Sequence, residues 1–190
     1  ALEMTGEWGL AVGNYGLMLE TNDGGGTWNT LPPLTNDALL GITQVGERTL
    51  IVGQNGLVIS KTGDGEWRLL DSGLGARLLN VAMTEDGRAM TVGEFGLIAR
   101  SRDYGETWEA ISVEWSKFND EGYEPHLYEV VLTSGGGAMV AGEFGLILHS
   151  RDDGDSWTAV AKGDESVFDI DLASDGSNSG YAVGQDGLLM

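Results

Sequence analysis

Val92-Gly93-Glu94-Phe95-Gly96-Leu97-Ile98-Ala99-Arg100-Ser101-Arg102-Asp103-Tyr104-Gly105-Glu106-Thr107-Trp108 carries two turn signals separated by one short apolar run. The glycines at 93 and 96 punctuate the chain first, and Asp103 with Gly105 punctuates it again, leaving room between them for a single strand. Both signals recur in phase. The hexapeptide returns as Val12-Gly13-Asn14-Tyr15-Gly16-Leu17, Val52 to Leu57, Ala141-Gly142-Glu143-Phe144-Gly145-Leu146 and Val183 to Leu188. Its first glycines stand at 13, 53, 93, 142 and 184, in steps of 40, 40, 49 and 42. The second motif follows the first four copies, as Thr21 to Trp28, Ser60 to Trp67, Ser101 to Trp108 and Ser150 to Trp157.

A unit of about 40 residues with four short strands is the signature of a β-propeller blade. Residues 38–70 set the pattern, with strands expected at Leu39 to Val45, Arg48 to Val52, Leu57 to Lys61 and Trp67 to Leu70. Most carry bulky apolar residues on both faces, as expected where each blade is sandwiched between two others. The fold class is therefore all-β. In the second-to-third hairpin the glycines serve positive φ or a bulge. In the third-to-fourth hairpin the carboxylates of Asp23, Asp103 and Asp152 accept N–H bonds within their own loops, above Trp28, Trp108 and Trp157. The second copy, ending at Trp67, has Thr62 in place of the Asp, so that loop is expected to be the least well held.

Composition agrees. The 190 residues are 41% hydrophobic, with 31 glycines against 3 prolines, and no segment of ten residues sustains a helical apolar period. Net charge is −20, from 30 acidic and 10 basic residues. Such a field repels phosphate backbones and anionic lipid, so nucleic acid and membrane-surface partners are not expected, and without a run of 18 apolar residues neither is direct membrane insertion. It suits a solvated surface in a salty habitat, ahead of attraction for a basic partner or for cations. With zero cysteines there are no disulfides, thiolate metal sites or Cys nucleophiles.

The second motif is an Asp box and resembles the repeats of bacterial neuraminidases. Paired with Val-Gly-x-x-Gly-Leu, it resembles most closely the photosystem II stability/assembly-factor family and its non-photosynthetic bacterial relatives, over essentially the whole chain. The resemblance implies an exported, periplasmic, non-enzymatic scaffold that holds a membrane-protein client, and among bacterial relatives an inner-membrane transporter. Photosynthetic members are expected to present an arginine-rich patch. Here there are only seven arginines, which points to a different client.

Residues 38–70, 77–112 and 126–160 are expected as full blades, with 1–31 and 167–190 as partial ones. The first would supply strands two to four and the last strands one to three. They cannot merge into one closing blade, so the ring is incomplete and the chain reads as part of a longer propeller of six or seven blades.

Second-to-third hairpins and blade connections share one rim. That rim is expected to gather Tyr15, Glu94, Phe95, Glu143 and Phe144, along with Asn14, Gln54, Asn55, Gln185 and Asp186. The 49-residue step adds an insertion at 113–125 with Trp115, Phe118 and Tyr123. These aromatics either form a partner-binding surface or plug the groove between blades. No cofactor or metal is expected. His126 and His149 lack ligand spacing, and Asp169-Ile170-Asp171 with Asp175-Gly176 has its Gly displaced from a calcium-loop position. The alternative function is a glycan-binding or hydrolytic propeller, whose carboxylate pair would be Glu94 and Glu143. Their repetition at matched positions argues against that, because catalytic pairs need dissimilar environments. The sequence also lacks a Phe/Tyr-Arg-Ile-Pro start, Gly-x-Ser-x-Gly, phosphate loop and His-Glu-x-x-His.

Overall fold

Every regular element longer than a single helical turn is a strand, as the spacing of glycines predicts. The computed structural model describes residues 1–118, 122–173 and 179–190. Four antiparallel sheets of four strands follow one another along the chain. The first holds β1 (Leu2–Thr5), β2 (Trp8–Val12), β3 (Met18–Thr21) and β4 (Asn29–Thr30). The second holds β5 (Leu39–Val45), β6 (Arg48–Gly53), β7 (Leu57–Thr62) and β8 (Arg68–Asp71). In the third are β9 (Leu78–Met83), β10 (Ala89–Gly93), β11 (Ile98–Ser101) and β12 (Glu109–Ala110). The fourth comprises β13 (Leu127–Leu132), β14 (Ala138–Gly142), β15 (Ile147–Ser150) and β16 (Thr158–Ala161). A fifth sheet pairs β17 (Val167–Leu172) with β18 (Gly180–Gly184), and one bridge, Val183 to Leu189, begins a third strand.

The first strands pack in succession, β1 on β5, β5 on β9, β9 on β13 and β13 on β17, so the blades form an arc of an open propeller. One expectation is corrected: the first blade has four strands, because Leu2–Thr5 pairs with Trp8–Val12 in register Leu2 to Ala11. Four residues turned by Gly6 at φ 64° are too short to show a period in the sequence.

Strand alternation divides the core between neighbours. In β6 and β7, Ile51 and Ile59 face the first blade and pack with Leu10 and Met18. Leu50, Val52 and Val58 face the third and pack with Leu78, Val81 and Ala99. The next interface joins Met90, Val92 and Ile98 to Leu127, Val130 and Val140. Each of the three inner blades thus buries both faces only because another stands on either side.

Except at the second box, where Gly63 is left-handed and Asp64 is not, the two hairpin motifs use the same two-residue turn. Tyr15 (φ 58°, ψ 34°) and Gly16 (φ 67°) are both left-handed, and Leu17 N–H bonds to Asn14 O at 3.2 Å. This type I′ geometry matches the twist of the flanking strands. The first glycine of the motif serves a separate purpose. Its φ is extended, but a Cβ on Gly53, Gly93, Gly142 or Gly184 would collide with the carbonyl of Ala38, Arg77, His126 or Ser166. A register shift in the first strand sits opposite each of these glycines.

The Asp boxes are built alike. Asp23 Oδ1 accepts Thr27 N–H at 2.8 Å and Oδ2 accepts the Thr27 hydroxyl at 2.7 Å, while Thr21 donates to Oδ1 at 2.8 Å. Asp103 is held the same way by Thr107 and Ser101, and Asp152 by Ser156 and Ser150. These bonds hold Asp23 and Asp152 below the usual carboxylate range. At Asp103 burial opposes the shift, and the bonds from Thr107 and Ser101 outweigh it. Thr62 has no carboxylate to offer. That loop is tied by main-chain bonds such as Gly65 N–H to Thr62 O at 2.9 Å.

The box tryptophans pack towards the preceding blade: Trp67 on the first, Trp108 on the second and Trp157 on the third. Trp28 belongs to the first blade of the arc, where that face is open, and is 37% exposed. Trp108→Ala should therefore destabilise the protein by about 3 kcal/mol, whereas Trp28→Ala should cost less than about 1 kcal/mol. Urea denaturation of the two variants reads this difference directly.

Candidate functional site

The five second-to-third turns and the blade connections share one rim through direct main-chain bonds. Gly16 N–H donates to Asp37 O at 2.9 Å, Gly96 N–H to Pro125 O at 2.8 Å, and Gly163 N–H to Phe144 O at 2.8 Å. In the second blade the Ser72 hydroxyl reaches Gly56 O at 2.6 Å. Box hairpins meet the first-to-second hairpins on the opposite rim, as in Tyr104 N–H to Gly87 O at 2.9 Å.

On the turn rim the first left-handed position is held by Tyr15, Asn55, Phe95, Phe144 and Asp186, with φ between 54° and 59°. Asn and Asp adopt this region readily, and bulky residues seldom do. Yet Tyr15, Phe95 and Phe144 stand there 83%, 66% and 51% exposed. Neither burial nor backbone preference accounts for an aromatic at these three places.

The connection at 113–126 buttresses two of them. His126 meets Phe95 edge to face at 5.2 Å, and its Nδ1 accepts Phe95 N–H at 3.2 Å. Tyr123 meets Phe144 at 5.3 Å in the same manner. Glu143 Oε2 accepts the Tyr123 hydroxyl at 3.2 Å and His126 N–H at 2.9 Å. Burial, then the Glu143 charge, raises the Tyr123 phenol above its ordinary value. Glu94 faces Arg77 at 3.5 Å.

Trp115 and Phe118 take the groove-filling role. They are 7% and 9% exposed and pack in the core between the third and fourth blades, Trp115 directly against Gly96. They lie beneath the rim. His149 lies on β15, and Asp169 and Asp171 on β17, while Asp175 and Gly176 fall outside the described residues. Among the described residues, no helix is long and apolar enough to cross a membrane.

Two clusters have no local signature in the sequence. On the box rim, Arg100 reaches Asp155 at 2.5 Å and Glu109 at 3.0 Å, Arg102 reaches Asp153 at 3.0 Å, and Arg88 donates to Thr133 O at 3.0 Å. Arg68 pairs with Glu106 at 3.0 Å, and Arg48 lies over the Tyr104 ring at 4.4 Å. Apart from the Arg100–Glu109 and Arg88–Thr133 contacts, arginines of one blade here grip the Asp box of the next.

The second cluster runs along the first strands. Asn80 Nδ2 donates to Glu129 Oε2 at 2.6 Å, and these residues occupy matched registers with Asp169. Burial, reinforced by the Asp169 charge, pushes Glu129 up to about 8.

The folded and unfolded states therefore differ in proton uptake at Glu129. Between an unfolded value of 4.5 and a folded value of about 8, the folded state binds the extra proton, so stability falls as pH rises through that window. Thermal melts at pH 5 and pH 8 should show Glu129→Gln gaining on the parent at the higher pH. They should show little difference between the two at the lower pH.

The geometry defines an Asp-box β-propeller whose turn rim carries exposed aromatics. The chain belongs to the Photosynthesis system II assembly factor YCF48 family, whose model matches residues 59–166. The Photosystem II assembly lipoprotein Ycf48 of Synechococcus sp. (strain CC9902) is 32% identical over 109 residues, covering 54% of this chain and 33% of that protein. The chain thus spans about a third of the length of that curated relative. YCF48 from Cyanidioschyzon merolae superposes with a TM-score of 0.71 at 14% identity, over 98% of this chain and 66% of its own. A YCF48 bound to D1 peptide superposes with a TM-score of 0.52 at 17% identity, over 100% of this chain and 89% of its own.

Proposed function

We propose that this chain is a non-catalytic scaffold that holds a segment of a membrane-protein client against its turn rim. The observation that carries the reading is the set of exposed rings, Tyr15, Phe95 and Phe144, kept at left-handed positions that favour smaller residues. Exposed aromatics on a rigid scaffold are the usual anchors of protein recognition. Conformational cost without burial is a mark of a functional surface.

The family supports a client of this kind. One relative is a photosystem II assembly lipoprotein, and another is bound to a peptide of D1. A lipoprotein relative is consistent with export, and we place this chain on the periplasmic side of a membrane complex, an inner-membrane transporter being one such client. Glu94 and Glu143 do not form a hydrolytic pair in this reading. Each carboxylate is engaged locally, by Arg77 in one case and by Tyr123 and His126 in the other.

The test is crosslinking in the native membrane fraction, followed by mass spectrometry. A membrane protein captured by the parent chain should be lost from the triple variant Tyr15→Asn, Phe95→Asn, Phe144→Asn. It should be retained by Asp64→Ala with Glu66→Ala on the other rim. Capture that survives the triple variant would overturn the rim as the partner face.

A further inference from the structure

The box rim shows how this chain treats an aromatic ring at the head of a two-residue turn. Tyr104 sits at φ 60°, the conformation shared by Phe95 at 56° and Phe144 at 58°. An arginine from the preceding blade, Arg48, lies 4.4 Å from the Tyr104 ring centroid. Lys61 stands 5.2 Å from the Trp67 ring on the same rim. A cation over the ring face is thus the internal partner of such aromatics, drawn by the ring quadrupole.

On the turn rim, among the described residues, no cation is placed over the Phe95 or Phe144 ring. Phe95 and Phe144 are contacted at their sides by His126 and Tyr123, and most of each ring's remaining surface is open. Each phenylalanine follows a carboxylate directly, Glu94 or Glu143. Six of the seven arginines lie on the box side of the blades, Arg48, Arg68, Arg88, Arg100 and Arg102 in interblade contacts and Arg151 within a box. Of the arginines only Arg77 belongs to the turn rim, where it faces Glu94, and Lys117 in the 113–126 connection is taken up by Glu114 at 2.6 Å. A net charge of −20 adds long-range attraction for cations and repulsion of acidic segments.

We propose that the turn rim takes a basic, extended segment of a protein partner, with lysine or arginine side chains laid over the exposed faces of Phe95 and Phe144 beside Glu94 and Glu143. This rests on the rim being the partner face, and it specifies the partner's chemistry: cationic side chains, presented in an extended stretch that spans two neighbouring blades. Tyr15, on the first blade, offers a third ring at the same position of its turn.

The test uses the whole chain and three fluorescein-labelled decapeptides, (Leu-Arg)5, (Leu-Gln)5 and (Leu-Glu)5, followed by fluorescence anisotropy at about 0.15 M salt. Variants are taken from turns the chain already folds: Phe95→Asn with Phe144→Asn copies Asn55, and Phe95→Tyr with Phe144→Tyr copies Tyr15. Neither pair alters the net charge. The parent should bind (Leu-Arg)5 over the other two peptides. The Asn pair should weaken that binding about 10-fold, and the Tyr pair should hold it within about 2-fold.

Binding of (Leu-Arg)5 that is unchanged in the Asn pair would reduce the effect to diffuse attraction and overturn the proposal. A preference for (Leu-Gln)5 or (Leu-Glu)5 that the Asn pair abolishes would overturn the basic partner class while leaving the partner face standing. If no peptide depends on the two rings and membrane capture also survives their loss, both the class and the face fall.

Discussion

The arrangement depends on a missing side-chain atom. Where the second strand ends in the second to fifth blades, the first glycine of the repeat lies against the carbonyl that precedes the first strand, and a Cβ there has no room. That contact admits the next main-chain bond, as in Gln54 to Ala38, Glu94 to Arg77, Glu143 to His126 and Gln185 to Ser166. It also coincides with the register shift in the first strand. The turn is thereby fixed to its own blade before any neighbour is considered. Phe95 and Phe144 at the tips of two such turns inherit a defined height on the rim.

Between blades, the two rims are held by different means. Apolar strand faces supply the bulk of the interface, since burial of apolar area is the dominant favourable contribution to stability. On the box rim, arginines of one blade add directional contacts to the Asp box of the next, Arg100 to Asp155 and Arg68 to Glu106 among them. These pairs are partly exposed and individually modest in worth. Their consequence is positional, because each binds a loop whose shape an aspartate has already set. The turn rim is joined instead by main-chain bonds to the connections, so its side chains remain available outward.

Much of this was legible in the sequence because the repeat is local. Two hairpin motifs in phase locate the strands of the second blade to within about one residue, and the order of hairpins assigns turns and boxes to opposite rims. What escaped was either too short or too distant. Leu2–Thr5 is four residues without a period. The contact of Arg100 with Asp155 joins residues 55 apart, and that of Asn80 with Glu129 joins residues 49 apart, so neither leaves a local mark. Trp115 and Phe118 sit in a polar-looking insertion and read equally well as surface or filler. Only the packing between the third and fourth blades decides that they are inside.

That insertion has a consequence for how such a protein diversifies. The third and fourth blades are stacked by Met90, Val92 and Ile98 against Leu127, Val130 and Val140, a contact that makes no use of connector length. The connector between them can therefore grow without disturbing the order of the arc, provided that it contributes its own anchors, here Trp115 and Phe118. The insertion is thus anchored at its start by Trp115 and Phe118 and at its end by Tyr123 and His126, which bond Glu143 and brace the two phenylalanine turns.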